Sequence, residues 1–97
     1  MKSQNLKQLE KQQRQLIVHS FIYYELNDSI WSDKKYDNLS LEIELRKDTD
    51  IWKQSKFYSV FKDWDSSTGM NLVKEPDSYG RGDYYWHFRG LAEQLLL

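Results

Sequence analysis

The chain has no cysteine. Disulfide scaffolds and zinc–thiolate centres are therefore excluded. It has one proline, Pro76, and four glycines, three of which (Gly80, Gly82 and Gly90) fall in the last fifth of the chain. Helix breakers are nearly absent before Gly69, so long helices are permitted there. No apolar run approaches the roughly 20 residues needed to cross a bilayer. The opening Met1-Lys2-Ser3-Gln4-Asn5 lacks the apolar stretch of a secretory signal, so the expectation is a cytoplasmic protein with no membrane partner. Charge of one sign is not in excess: 14 Lys+Arg stand against 15 Asp+Glu, for a formal net charge of -1. That excludes a uniformly basic nucleic-acid binder, though not a local basic patch. His19 and His87 are the only histidines, and no spacing of carboxylates around them suggests a metal site. There is no phosphate-binding loop and no dinucleotide glycine fingerprint. Nothing brings a nucleophile, base and acid together in sequence, so no catalytic residue is assigned and no enzyme is expected.

What is present is aromatic. Residues 1–97 suffice for one small domain. Hydrophobic content is only 39%, yet 15% of the chain is Phe, Trp or Tyr. Rings bury about 150–250 Å² each, so a few of them can build a core in a chain this short. A domain of this size remains marginal, and a ligand or partner would add stability.

The pattern is helical. Ser3 is placed to cap a first helix reaching about Leu26, with Leu6, Leu9, Leu16, Ile17, Phe21 and Tyr24 on its apolar stripe. Its first turns carry Lys7, Lys11 and Arg14, read as a solvated face. Asn27-Asp28-Ser29 is a turn. Ser32 caps a second helix running to about Lys47, and Asp33 suits its positive end. The alternation Leu41-Glu42-Ile43-Glu44-Leu45 is also strand-like, but the preceding cap favours helix. Asp50 is expected to cap a third helix, Ile51 to Trp64, with Phe57, Phe61 and Trp64 on one face. Pro76 to Asp83 is a loop, and Asp83 starts a last helix with a Tyr84, Phe88, Leu91, Leu95 stripe. The expectation is a small all-α domain: an N-terminal antiparallel helical hairpin (1–50) plus two further helices in residues 51–97.

The most informative stretch is His19 to Asp37, HSFIYYELNDSIWSDKKYD. Tyr23 and Tyr24 close the first helix; Asp33, Tyr36 and Asp37 open the second. A short connection makes antiparallel neighbours of two helices, so these groups should meet at one end of the hairpin. Rings attract a flat cation over their faces, and carboxylates accept hydrogen bonds from hydroxyls or amides. A nicotinamide nucleotide offers all of these.

This stretch resembles the N-terminal Ia domain of bacterial NAD-dependent DNA ligases, whose pattern runs H-x-x-x-Y-[YH]-x-x-[DN]-x-P-x-x-x-D-x-x-Y-D-x-L. His19, Tyr23, Tyr24, Asn27, Asp33, Tyr36, Asp37 and Leu39 match it without a gap. The resemblance implies binding of the nicotinamide mononucleotide (NMN) half of NAD. It implies Tyr23 and Tyr36 as stacking rings and Asp33 and Asp37 as acceptors for the nicotinamide and ribose, with Tyr24 and His19 near the phosphate. Ser29 stands where the family has its turn proline, and Trp31-Ser32 replace Ile-Pro. No K-x-D-G motif is present to carry the adenylylated lysine; Lys62-Asp63-Trp64-Asp65 is the nearest string. The chain is too short for the other ligase domains, and residues 76–97 look unlike the family. Ligation by this chain alone is thus not expected. The competing reading makes Tyr23, Tyr24 and Tyr36 packing residues of the hairpin and Asp33 a helix-start charge.

The segment Tyr79 to Arg89 interleaves arginine with aromatics. Arg81, Tyr84, Tyr85, Trp86 and Arg89 are candidates for a protein contact, since Trp, Tyr and Arg dominate binding hot spots. The same composition can stack on single-stranded nucleic acid, or simply complete the core. The expectation for function is a non-ligating accessory or inhibitory protein of phage type, with anti-defence among its roles, that grips a bacterial host protein. One alternative is an NMN- or NAD-binding module using Tyr23, Tyr36, Asp33 and Asp37. The other is a single-stranded nucleic-acid binder using the aromatic tail.

Overall fold

A computed structural model describes residues 3–67, 72–73 and 83–97, with side chains from residue 85 in the last segment. Among these residues the chain forms four helices and no strand: α1 (Gln4–Tyr24), α2 (Asp33–Glu44), α3 (Tyr58–Phe61) and α4 (Asp83–Leu95). The two N-terminal caps are those read from the sequence. Ser3 Oγ accepts the Leu6 N–H at 3.1 Å, and Ser32 Oγ accepts the Lys35 N–H at 3.2 Å. Each satisfies an amide that the first helical turn leaves without a partner. Asn27, at φ 51°, stops the chain just beyond α1; asparagine tolerates this left-handed turn better than most residues. Asp48, at φ 67°, lies within the tight turns that follow α2. That helix is three residues shorter than expected, closing at Glu44 rather than Lys47.

α1 is the centre of the domain and packs against both α2 and α4. Side-chain pairs give the direction of α2: Ser20 meets Tyr36, whereas Gln12 meets Glu42 and Arg46. Late residues of α1 thus face early residues of α2, which is an antiparallel hairpin. Ile43 is buried while Leu41 and Leu45 are exposed. The strand-like alternation of residues 41–45 is therefore carried by a helix.

The third helix departs most from expectation. Residues 50–57 are successive tight turns, and only Tyr58–Phe61 is α-helical. Asp50 does not cap a helix; its carbonyl accepts the Gln54 side chain. The cause lies in α1. The Glu10 carboxylate accepts the Lys56 N–H at 2.8 Å. Ser55 Oγ donates to Gln13 Oε1 at 2.5 Å and accepts the Phe57 N–H at 3.1 Å. These bonds take the amides of residues 56 and 57 that a continuous helix would use. The core aromatics still pack as the spacing required. Phe61 lies edge-on to Trp64 and Trp52 at centroid distances of 5.0 and 6.2 Å, and Phe57 does the same to Phe88 at 5.9 Å.

In α4 the buried face is Tyr85, Phe88 and Ala92. The expected stripe is displaced: Leu91 is half-buried and Leu95 is 55% exposed. Three consecutive aromatics, Tyr84-Tyr85-Trp86, leave the helix phase open in sequence. The choice is made by Tyr85, which packs edge-on to Phe21 at 5.5 Å and donates its hydroxyl to Glu25 at 3.1 Å.

Candidate functional site

A cleft of about 260 Å³ opens where the α1–α2 hairpin turns. His19, Ile22, Tyr23 and Tyr24 line it from α1; Ser29, Ile30 and Trp31 from the connection; Asp33, Tyr36 and Asp37 from α2; and Ser66 and Ser67 from the segment after α3. All six residues singled out as a nucleotide site, His19, Tyr23, Tyr24, Asp33, Tyr36 and Asp37, face this one space. Helical spacing explains the convergence. His19 and Tyr23 are four apart on α1, and Asp33 and Asp37 are four apart on α2, so each pair shares a face.

The rings differ in freedom. Tyr23 is 52% exposed and lies edge-on to Tyr24 at 4.9 Å. Tyr36 is half-buried against the core, and its hydroxyl is 2.6 Å from Ser20 Oγ. The Ser20 hydroxyl proton goes to the Leu16 carbonyl at 2.8 Å. A hydroxyl carries one proton, so Tyr36 is the donor of the pair. Burial pushes the Tyr36 phenol up to about 12. Burial also raises the Tyr24 phenol, helped by Tyr23 and by the negative charge of Asp37. Both phenols are neutral at pH 7.

Trp31 is the residue whose importance the sequence left unseen. It entered only as a departure from the ligase pattern. Its indole stacks on the His19 imidazole at 3.5 Å with 13° between planes, and the Lys35 ammonium lies 4.8 Å from the indole centroid. Burial, then the charge of Lys35, lowers His19 to about 4. The imidazole is therefore neutral, and the stack forms a flat, uncharged wall. Ser66 and Ser67 carried no site reading in the sequence. They reach the cleft because Ser66 N–H and Oγ donate to Glu44 on α2 at 3.1 and 2.6 Å. No local signal announces such a bond across 22 residues.

The aromatic tail is divided. Arg81 and the Tyr84 side chain lie outside the described residues. Tyr85 is 7% exposed and belongs to the core. Trp86 is 61% exposed, edge-on to Tyr85 at 4.9 Å. Arg89 lies over both rings at 5.8 and 6.0 Å and donates to the Tyr85 hydroxyl at 2.7 Å.

Among the described residues no group of three or more His, Cys, Asp or Glu side chains is placed to hold a metal ion. No helix among them is long and apolar enough to cross a membrane. No protein-family model, curated protein or solved structure matches the chain.

Proposed function

We propose that this domain binds a nicotinamide mononucleotide, alone or as the exposed half of NAD, in the cleft at the turn of the α1–α2 hairpin. The observation that carries the reading is the shared cleft itself. Tyr23, Tyr24, Asp33, Tyr36 and Asp37, with His19, line one opening. The packing alternative holds for Tyr36, which rests against the core, but Tyr23 is 52% exposed and stands free of the interior. Rings attract a pyridinium over their faces, and the two carboxylates accept from ribose hydroxyls. The volume of about 260 Å³ lies below the roughly 300–1,000 Å³ of most small-molecule sites. It suits a ring and a ribose, not a whole dinucleotide. With no adenylylation lysine motif in the chain, the role is binding without ligation.

Titration calorimetry of the whole chain with NMN tests this. Saturable binding is expected, with Asp37→Ala and Tyr36→Ala weakening it strongly. Absence of heat at millimolar ligand contradicts it.

A second reading has its own support. An accessory or inhibitory protein acting on a bacterial host protein needs an exposed anchor, and the Trp86 indole beside Arg89 is one. On this reading Trp86→Ala releases a partner recovered by the wild-type chain while leaving NMN binding intact. Unchanged recovery removes α4 from that interface.

A further inference from the structure

Lys7, Lys11 and Arg14 stand on α1 at i, i+4 and i+7 and are exposed, so they share one outward face. Gln4, Gln8, Gln12 and Gln15 run beside the two lysines and line an open groove with them. No carboxylate lines that groove. Glu10, the one acid among residues 1–15, is 6% exposed and turned to the Lys56 amide. Among the described residues none of the three cations forms an ion pair.

This arrangement works against the helix that carries it. Like charges one turn apart repel. Lys7 also sits in a first turn that holds no acid, at the positive end of the helix dipole. A solvated face that serves folding alone carries mixed signs. We propose that this face of α1 docks an acidic segment of a partner protein, with carboxylates set against Lys7, Lys11 and Arg14 and the amides of Gln4, Gln8 and Gln15 donating beside them. The inference stands apart from the nucleotide reading, because residues 4–15 take no part in the cleft.

Charge and length choose the occupant. No apolar or aromatic residue lines the groove, so neither acyl chains nor unstacked bases find a footing there. The cations span about 10 Å, seven residues at roughly 1.5 Å each, which matches a helical segment of two turns bearing three acids. A nucleic-acid duplex carries one charge per about 1.7 Å of its axis and extends far beyond the stripe. It would meet a chain whose formal charge is -1 and whose Glu42 already holds the Gln12 amide at the α2 edge of the groove, 3.0 Å away. A short acidic segment laid along the cations avoids that charge.

Nuclear magnetic resonance titration of the labelled whole chain at low salt tests this with three probes. They are a helical peptide with glutamates at i, i+4 and i+7, the same peptide with glutamines in their place, and a short DNA duplex. The glutamate peptide is expected to shift residues 4–15 and leave residues 19–37 unmoved. It should bind about tenfold more tightly than the glutamine peptide, as three exposed ion pairs allow, and lose that advantage in high salt. Lys11→Glu should cut the advantage about fivefold, whereas Lys11→Arg should keep it. Lys11→Glu should also raise the melting temperature, since it breaks a run of like charge. A melting temperature that does not rise contradicts the claim that these cations oppose the helix. Equal binding of the two peptides, or shifts gathered outside residues 4–15, overturns the docking face. Tighter binding of the duplex at those residues overturns the acidic-protein assignment in favour of a nucleic-acid backbone.

Discussion

Two polar networks lie along α1, one closed and one open. The closed network surrounds Glu10 and Gln13, which are 6% and 0% exposed. Their oxygens take the Lys56 amide and the Ser55 hydroxyl. The open network surrounds His19, Tyr23 and Tyr24, further along the helix, and lines a cleft. Both draw polar residues from the same helix. They differ in who answers them. In the first, the chain supplies partners for both side-chain oxygens while the Gln13 amide nitrogen has none among the described residues, and the result is structural: a helix is broken at Ser55 and the Lys56 amide is turned toward α1. In the second, the chain takes the protons of Ser29, Tyr36, Ser66 and Ser67 for itself and leaves the cleft between them open. A buried polar group needs a partner; an open one can wait for a ligand.

The contrast predicts that damage to the two networks has opposite signatures. The largest effect on stability is expected from Glu10→Ala, which leaves the Lys56 N–H without its acceptor. Denaturant unfolding should show a loss of about 1–3 kcal/mol, with NMN affinity unchanged. A fall in affinity would mean that the networks are coupled.

Alkaline pH probes the hinge between them. The folded domain holds the Tyr36 phenol up to about 12 from an ordinary 10.0. The unfolded chain therefore loses this proton first as pH rises. The stability Tyr36 contributes is complete below pH 10 and disappears between pH 10 and 12. Discounted for partial exposure, it amounts to roughly 1–2 kcal/mol. Tyr36→Phe should flatten that limb of the pH–stability curve.

Gly90 serves as a control remote from either network. A Cβ there would meet nothing within 4 Å, so Gly90→Ala should stabilise α4 by about 0.5–1 kcal/mol without touching ligand affinity. The smallest stability effect is expected in the open network. Asp37 is exposed, so Asp37→Ala should shift unfolding by no more than about 0.5 kcal/mol, while abolishing most NMN binding.

The sequence disclosed what depends on local chemistry. Ser3 and Ser32 were legible as caps because a cap needs only the amide three residues on. The six cleft residues were legible because four-residue spacing on each helix, joined by a short connection, brings them to one place. What was not legible depends on distant partners. The Ile51–Trp64 periodicity fits a helix as well as it fits the observed turns, and the decision is made by Glu10 and Gln13, more than 40 residues earlier. The spacing put Tyr84, Phe88, Leu91 and Leu95 on the α4 stripe, whereas Phe21 and Glu25 hold Tyr85 on the buried face. Trp31 looked only like a departure, with Ser32, from the family's Ile-Pro, and its stack on His19 follows only once the connection is folded. Ser66 and Ser67 belong to the cleft solely through Glu44 and the path of the chain after α3.

The central claim, that the cleft is where this molecule meets a nicotinamide nucleotide, is tested most directly by nuclear magnetic resonance titration of the labelled chain with NMN. Shifts are expected to concentrate on residues 19–37 and on Ser66 and Ser67, with the Trp31 indole and Tyr23 ring among the most affected. Shifts gathered instead around Trp86 and Arg89, or no shift at saturating nucleotide, would contradict it.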